Sequence, residues 1–216
     1  MRELLLIVFV FLTSLFSNSV FEFFIPVKNK EFERKVNFLL RNPILKISNV
    51  VLGLLCFYKL SFSLGAFVVF LFLSVFVVIS FVDQKIMLIP DGLILFLCVI
   101  ASVWYVIFND LSLLERIMGL FSVSIPMFVV NYFLKDSFGV GDIKLFVICG
   151  FILGWQKIIL AFIISSIACS MFSLILVLLK RKKADSRIAF APYIFLGVAV
   201  SLFYGNEIID FYLSRF

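Results

Sequence analysis

The sequence predicts an all-α, polytopic membrane helix bundle of about eight transmembrane helices with its N-terminus outside. Three observations carry that prediction. The 216 residues are 64% hydrophobic, with 30 Phe and only 15% charged residues, far from the balance of a soluble domain. So few charges cannot cover a water-facing surface. The apolar residues gather into runs of spanning length, and the basic residues fall in the loops between them.

Taken in order, the runs cover Glu3 to Phe24, Ile47 to Val82, Leu93 to Phe108, Ile117 to Leu134, Leu145 to Leu179 and Ile188 to Tyr204. The first resembles a signal peptide, but Glu3 cancels Arg2 and no small-residue cleavage site stands out, so it reads as a spanning helix. The second and fifth are too long for one crossing: at 1.5 Å per residue each would reach roughly 50 Å, against a hydrocarbon core of about 30 Å. Both are interrupted near the middle, at Tyr58-Lys59-Leu60 and Trp155-Gln156-Lys157, where an aromatic beside a Lys suits an interface. Each is therefore a helical hairpin, which brings the count to eight.

The charges test the count. With the N-terminus outside, the inner side holds fourteen of the nineteen basic residues: six between Lys28 and Lys46, then Lys85, Lys135 and Lys144, and five between Lys180 and Arg187. The outer side keeps Arg2, Lys59, Arg116, Lys157 and Arg215, with acidic Glu3, Asp110, Glu115, Glu207 and Asp210 beside them. This is the positive-inside pattern. The formal charge of +6 therefore reads as membrane orientation rather than nucleic-acid binding, which needs a basic, water-facing groove with stacking aromatics. The chain divides into residues 1–46, a first span with a short basic cytoplasmic loop, and residues 47–216, a helical membrane domain. Within the loop, Phe32, Val36, Leu39 and Leu40 share one side of a short amphipathic helix.

Chemistry is narrowed mainly by what is missing. There is no histidine, which removes Ser-His and Cys-His catalysis, HExxH zinc proteolysis and histidine proton relays. Cys56, Cys98, Cys149 and Cys169 lie inside apolar runs without a CxxC pair, so they read as small buried residues and no metal or cofactor is expected. Acid-base work then falls to Asp, Glu, Lys, Tyr or Cys.

Two carboxylates stand at inner ends of apolar runs. Asp83 closes "FLFLSVFVVISFVD" and Asp142 opens "DIKLFVICGFILGW". A carboxylate within a span is costly and faces a bundle interior or a wet cavity. A helix cap is the plain alternative for Asp142, and a stronger one for Asp91 in "IPDG", where Pro90 breaks the chain. Gly139 and Gly141 tilt the reading for Asp142, since a cap does not require two glycines that let the backbone approach closely. Two aspartates brought together share a proton, so one takes a proton from water while the other donates to a carbonyl. Peptide hydrolysis then needs neither metal nor covalent intermediate.

"GVGDIKLFVICGFILGW" resembles the Gly-x-Gly-Asp-x-Lys-Leu segment of the type IV prepilin peptidases, and "SFVDQKIMLIPDGL" resembles that family's other aspartate segment. "IAFAPYIFLGVAVS" is similar to its C-terminal Pro-Phe-Gly-Pro-Phe stretch, with Pro192 kept and Ala189 and Ala191 in place of Pro and Gly. Phe16 and Asn18 weakly match its N-terminal segment. The resemblance implies an aspartyl protease of the inner membrane, with Asp83 and Asp142 as catalytic pair and Gly139, Gly141, Lys144, Pro90 and Pro192 shaping the site. Its substrates would be prepilin or pseudopilin precursors in the lipid bilayer, cut at a short basic leader on the cytoplasmic side. Many members also carry a larger cytoplasmic domain with two CxxC pairs and methylate the new N-terminus. Here about 22 residues and no cysteine stand in that place, so the resemblance does not carry methyl transfer over. The residues themselves leave other classes open: a presenilin-type GxGD protease, a Ser-Lys hydrolase using Lys144 or Lys85, or a small transporter or assembly subunit with Asp83 and Asp142 lining an ion path.

Overall fold

The computed structural model describes residues 43–61, 63–134, 137–180 and 188–215. The first predicted span and the amphipathic loop lie outside the described residues. The described chain is helical, without a strand. The described residues fall into two compact units, one up to Phe108 and one from Asn109 onward.

In the first unit, α1 (Pro43–Leu60), α2 (Leu64–Ile86) and α3 (Asp91–Ile107) succeed one another. The break between α1 and α2 falls just past the Tyr58-Lys59-Leu60 interruption, and Ser63 caps α2 by accepting from the Ala66 N–H at 3.1 Å. From Phe72 to Ser80 the residues of α2 are buried, as expected of a helix that is apolar all round. Phe72 meets Trp104 of α3 edge to face at 5.8 Å. A Cβ at Gly65 would touch the Phe108 ring, so the start of α2 lies against the end of α3 and the two run antiparallel. Met87, in the left-handed region at φ 53°, stops α2.

The second unit holds α4 (Leu113–Ser122), α5 (Ser124–Phe133), α6 (Val140–Leu178) and α7 (Ala191–Leu213). The run predicted as one helix over 117–134 is divided at Val123. A capping box opens α4: Ser112 N–H donates to Glu115 Oε2 at 2.8 Å, and Glu115 N–H donates to Ser112 Oγ at 3.3 Å.

The 39 residues of α6 are two helices joined at Gly154, whose φ of 76° and ψ of 172° are not helical. In a straight helix Phe146 and Phe162 would stand about 24 Å apart, yet their ring centroids are 5.5 Å apart. The chain therefore doubles back, one residue before the Trp155-Gln156-Lys157 interruption. Arms 140–153 and 155–178 form a hairpin.

Close backbone approaches fix the arms. A Cβ at Gly119 of α4 would strike the Gly150 carbonyl, and one at Gly150 would strike the Gly119 carbonyl. A Cβ at Gly197 of α7 would strike the Ala161 carbonyl on the second arm. Small residues that let helices touch are the usual device of membrane packing. Arg116 differs from its sequence reading as an outer-side loop cation: its side chain is fully buried. It donates to the Phe151 carbonyl at 3.2 Å and to Asp110 at 3.3 Å, and lies 5.8 Å from the centre of the Phe151 ring. Because the helix breaks at Gly154, that carbonyl is among those left without a partner at a helix C-terminus. The guanidinium supplies one, with a favourable charge for that end.

Five helical stretches among the described residues are long and apolar enough to cross a membrane: Pro43–Leu60, Leu64–Ile86, Leu113–Phe133, Val140–Leu178 and Ala191–Leu213. Asp91–Ile107 is a shorter apolar helix. The chain is a multi-pass membrane protein.

Candidate active site

Asp142 is carried on the first turn of α6, and the turn is built around it. Gly139 is the N-cap residue, in extended backbone at φ −66° and ψ 138°, so its lack of a side chain matters for space rather than for conformation. A Cβ there would lie 2.9 Å from Asp142 Oδ2. The carboxylate is therefore folded back over Gly139, and any larger residue there would make it shift. Gly139 O accepts from the N–H groups of Asp142 at 3.0 Å and Ile143 at 3.2 Å, which locks the turn to the helix.

Asp142 is the third helical residue of α6, and Gly139 holds the N-cap position. Its position at a helix N-terminus still favours an anion. Gly141 falls within the same turn. Lys144 is exposed and stands two positions on, where side chains do not face one another.

The turn has neighbours on two sides. From α5, Asn131 Nδ2 donates to the Phe138 carbonyl at 3.0 Å, and Phe138 N–H donates to Asn131 Oδ1 at 3.0 Å. At the entry to α7, the Phe190 ring lies 6.3 Å from Phe138 and 6.2 Å from Phe146, the two phenylalanines that bracket Asp142 by four residues. Pro192 follows in the first turn of α7. Its neighbour Tyr193 packs at 5.8 Å from Phe172 of the second arm. The "IAFAPY" segment is thus packed around the arm that bears Asp142. Asn131 is the residue sequence reasoning missed. A lone amide inside an apolar run was its one signal.

Asp83 sits in the first unit, in the last turn of α2, where its carbonyl accepts from the Met87 N–H at 2.8 Å. It is 7% exposed. A buried carboxylate in the last turn of a helix is no N-terminal cap. Pro90 is buried and serves as the N-cap residue of α3. Asp91 follows as the first helical residue of α3, an acidic group in its first turn.

Among the described residues no group of three His, Cys, Asp or Glu side chains could hold a metal ion. The four cysteines are free. Cys56 and Cys149 are buried as expected, whereas Cys98 is exposed on α3 and Cys169 is half-buried.

Residues 70–174 match the model of the type IV leader peptidase family, a segment that contains both Asp83 and Asp142. The chain is 28% identical over 186 residues to the prepilin leader peptidase/N-methyltransferase of Legionella pneumophila, covering 82% of this chain and 63% of that protein. It is 26% identical to that of Aeromonas salmonicida (strain A449), over 81% and 62%. It is 28% identical to that of Bacillus subtilis (strain 168), over 72% and 63%. The chain thus spans less than two thirds of the length of these relatives. No solved structure matches it. The resemblance to the type IV prepilin peptidases drawn from the motifs is borne out.

Proposed function

We propose that the chain is an aspartic endopeptidase of the membrane that removes the basic leader from type IV prepilin-like precursors, with Asp83 and Asp142 as its catalytic pair. The observation that carries this reading is the turn at Gly139, shaped so that a carboxylate lies against the backbone at the mouth of an apolar helical arm. The family match over 70–174 supports it independently. The pair shares one proton: the ionised member takes a proton from the attacking water while the protonated one donates to the scissile carbonyl.

In full, the proposal places the protein in the inner membrane with its active site at the cytoplasmic face. There are eight spans, with residues 3–24 as the first and α6 contributing two arms, and the N-terminus is outside. Residues 1–46 form the first transmembrane helix plus a short basic cytoplasmic loop, a reduced methyltransferase-type region, and 47–216 the helical membrane peptidase domain. We assign leader cleavage alone: the polar stretch between the first two apolar runs holds about 22 residues and no cysteine, too little for the second activity in the relatives' name.

The test is cleavage of a leader-bearing precursor by the full chain in detergent or lipid. Asp83→Asn and Asp142→Asn are each expected to abolish cleavage while leaving the protein folded by thermal unfolding. Retained cleavage in either variant overturns the pairing.

A further inference from the structure

Asn131 stands in α5, in the apolar sequence "SIPMFVVNYF". An amide in such a helix is costly unless it is paired, and here both of its ends are used on one residue. Its Nδ2 donates to the Phe138 carbonyl and its Oδ1 accepts from the Phe138 N–H, each at 3.0 Å. This is the pairing one strand offers another, made by a side chain. It pins the backbone at Phe138 in both of its hydrogen-bonding directions.

From Phe138 onward the backbone is tied to the helix. Gly139 is bonded through its carbonyl to Asp142 and Ile143, and the Asp142 carboxylate is packed over Gly139. Wherever the Phe138–Gly139 backbone goes, the carboxylate goes with it. We infer that Asn131 is a positioning residue for Asp142, setting the carboxylate's place by holding the backbone four residues before it. This rests on the proposed role of Asp142. The Phe138 ring also packs against Phe190, so removal of the amide is expected to leave the turn attached but out of register.

The experiment compares wild type, Asn131→Ala, Asn131→Gln, Asn131→Asp and Asp142→Asn in cleavage of a leader-bearing precursor by the full chain. Amide hydrogen exchange of residues 137–143 is measured alongside. A misplacement of about 1 Å at a catalytic group costs on the order of 100-fold. Asn131→Ala is therefore expected to lower kcat about 10- to 100-fold, with KM within about twofold, and to speed exchange at Phe138. Asn131→Gln, which keeps the amide, is expected to recover part of kcat.

Wild-type kcat in Asn131→Ala, or a loss entirely in KM, overturns the inference. Where Asn131→Ala does not fold, Asn131→Asp decides, because it fills the same space but cannot donate to the Phe138 carbonyl. Wild-type kcat there is equally fatal. Full activity in Asp142→Asn overturns the proposed function instead, so the two failures are distinguishable.

Discussion

Gly154→Ala addresses the hairpin directly. The backbone at Gly154, φ 76° and ψ 172°, lies in a region open essentially to glycine alone, where other residues cost about 1–3 kcal/mol. The added Cβ would also stand 3.1 Å from Leu111 Cδ1, a flexible tip that can yield by a few tenths of an ångström. Together these give a loss of about 2–3 kcal/mol, most of it from the backbone. For a chain of this size that lowers Tm by about 4–12 °C.

The assay is thermal unfolding in detergent micelles, with Gly205→Ala as the reference. Gly205 is inside a helix, and its Cβ would meet the Lys157 side chain at 3.2 Å, so alanine is expected to stay within about 1 kcal/mol of wild type. A Gly154→Ala shift no larger than that of Gly205→Ala refutes the reversal at Gly154. A straight 39-residue helix would tolerate alanine better than glycine at that position.

Three further substitutions separate groups that hold the fold from those that add little to it or burden it. Arg116→Ala orphans the Phe151 carbonyl and leaves a void, and is expected to cost about 3 kcal/mol or more. Asp110→Asn is expected to cost under about 1 kcal/mol, since the Asp110 side chain is 60% exposed and exposed pairs are weak. The reverse order in denaturation would show that the ion pair, not the carbonyl contact, is the anchor. In the first unit, the Ser74 hydroxyl is buried without a hydrogen-bond partner, so Ser74→Ala is expected to be neutral or to stabilise by about 1 kcal/mol. A loss of more than about 1 kcal/mol in thermal unfolding would show that the hydroxyl has a role in the fold.

Much of this structure was legible because the bilayer sets a length scale that apolar runs must meet. The over-long run from Leu145 to Leu179 had to fold back, and an interfacial Trp-Gln-Lys marked the place to within one residue. The pivot itself was less visible. Gly150 and Gly154 stand at the four-residue spacing by which helices touch, yet only the contact with Gly119 gives that spacing a meaning. Arg116 was misplaced for a related reason: a charge beside Glu115 looks solvated in one dimension, and the carbonyl it satisfies lies 35 residues away.

At the candidate site, the glycines before Asp142 and the aspartate itself could be read from chemistry. Asn131 could not, because both of its partners are main-chain atoms, and main-chain partners leave no trace in side-chain pattern. Hydropathy read α4 and α5 as one span, and Leu113–Phe133 is long and apolar enough to be one; the break at Val123 left no mark because it does not change polarity.

The arm that carries Asp142 is short. Residues 140–153 rise about 21 Å, roughly 9 Å less than a typical hydrocarbon core. With the Trp155-Gln156-Lys157 end at one surface of the bilayer, the other end stops well beneath the opposite surface unless the lipid closes the gap. A bilayer resists such mismatch only weakly, at fractions of a kcal/mol per ångström. Beside an arm this short, a bilayer of ordinary thickness would have to thin, or the residues flanking the arm would have to reach out to its surface.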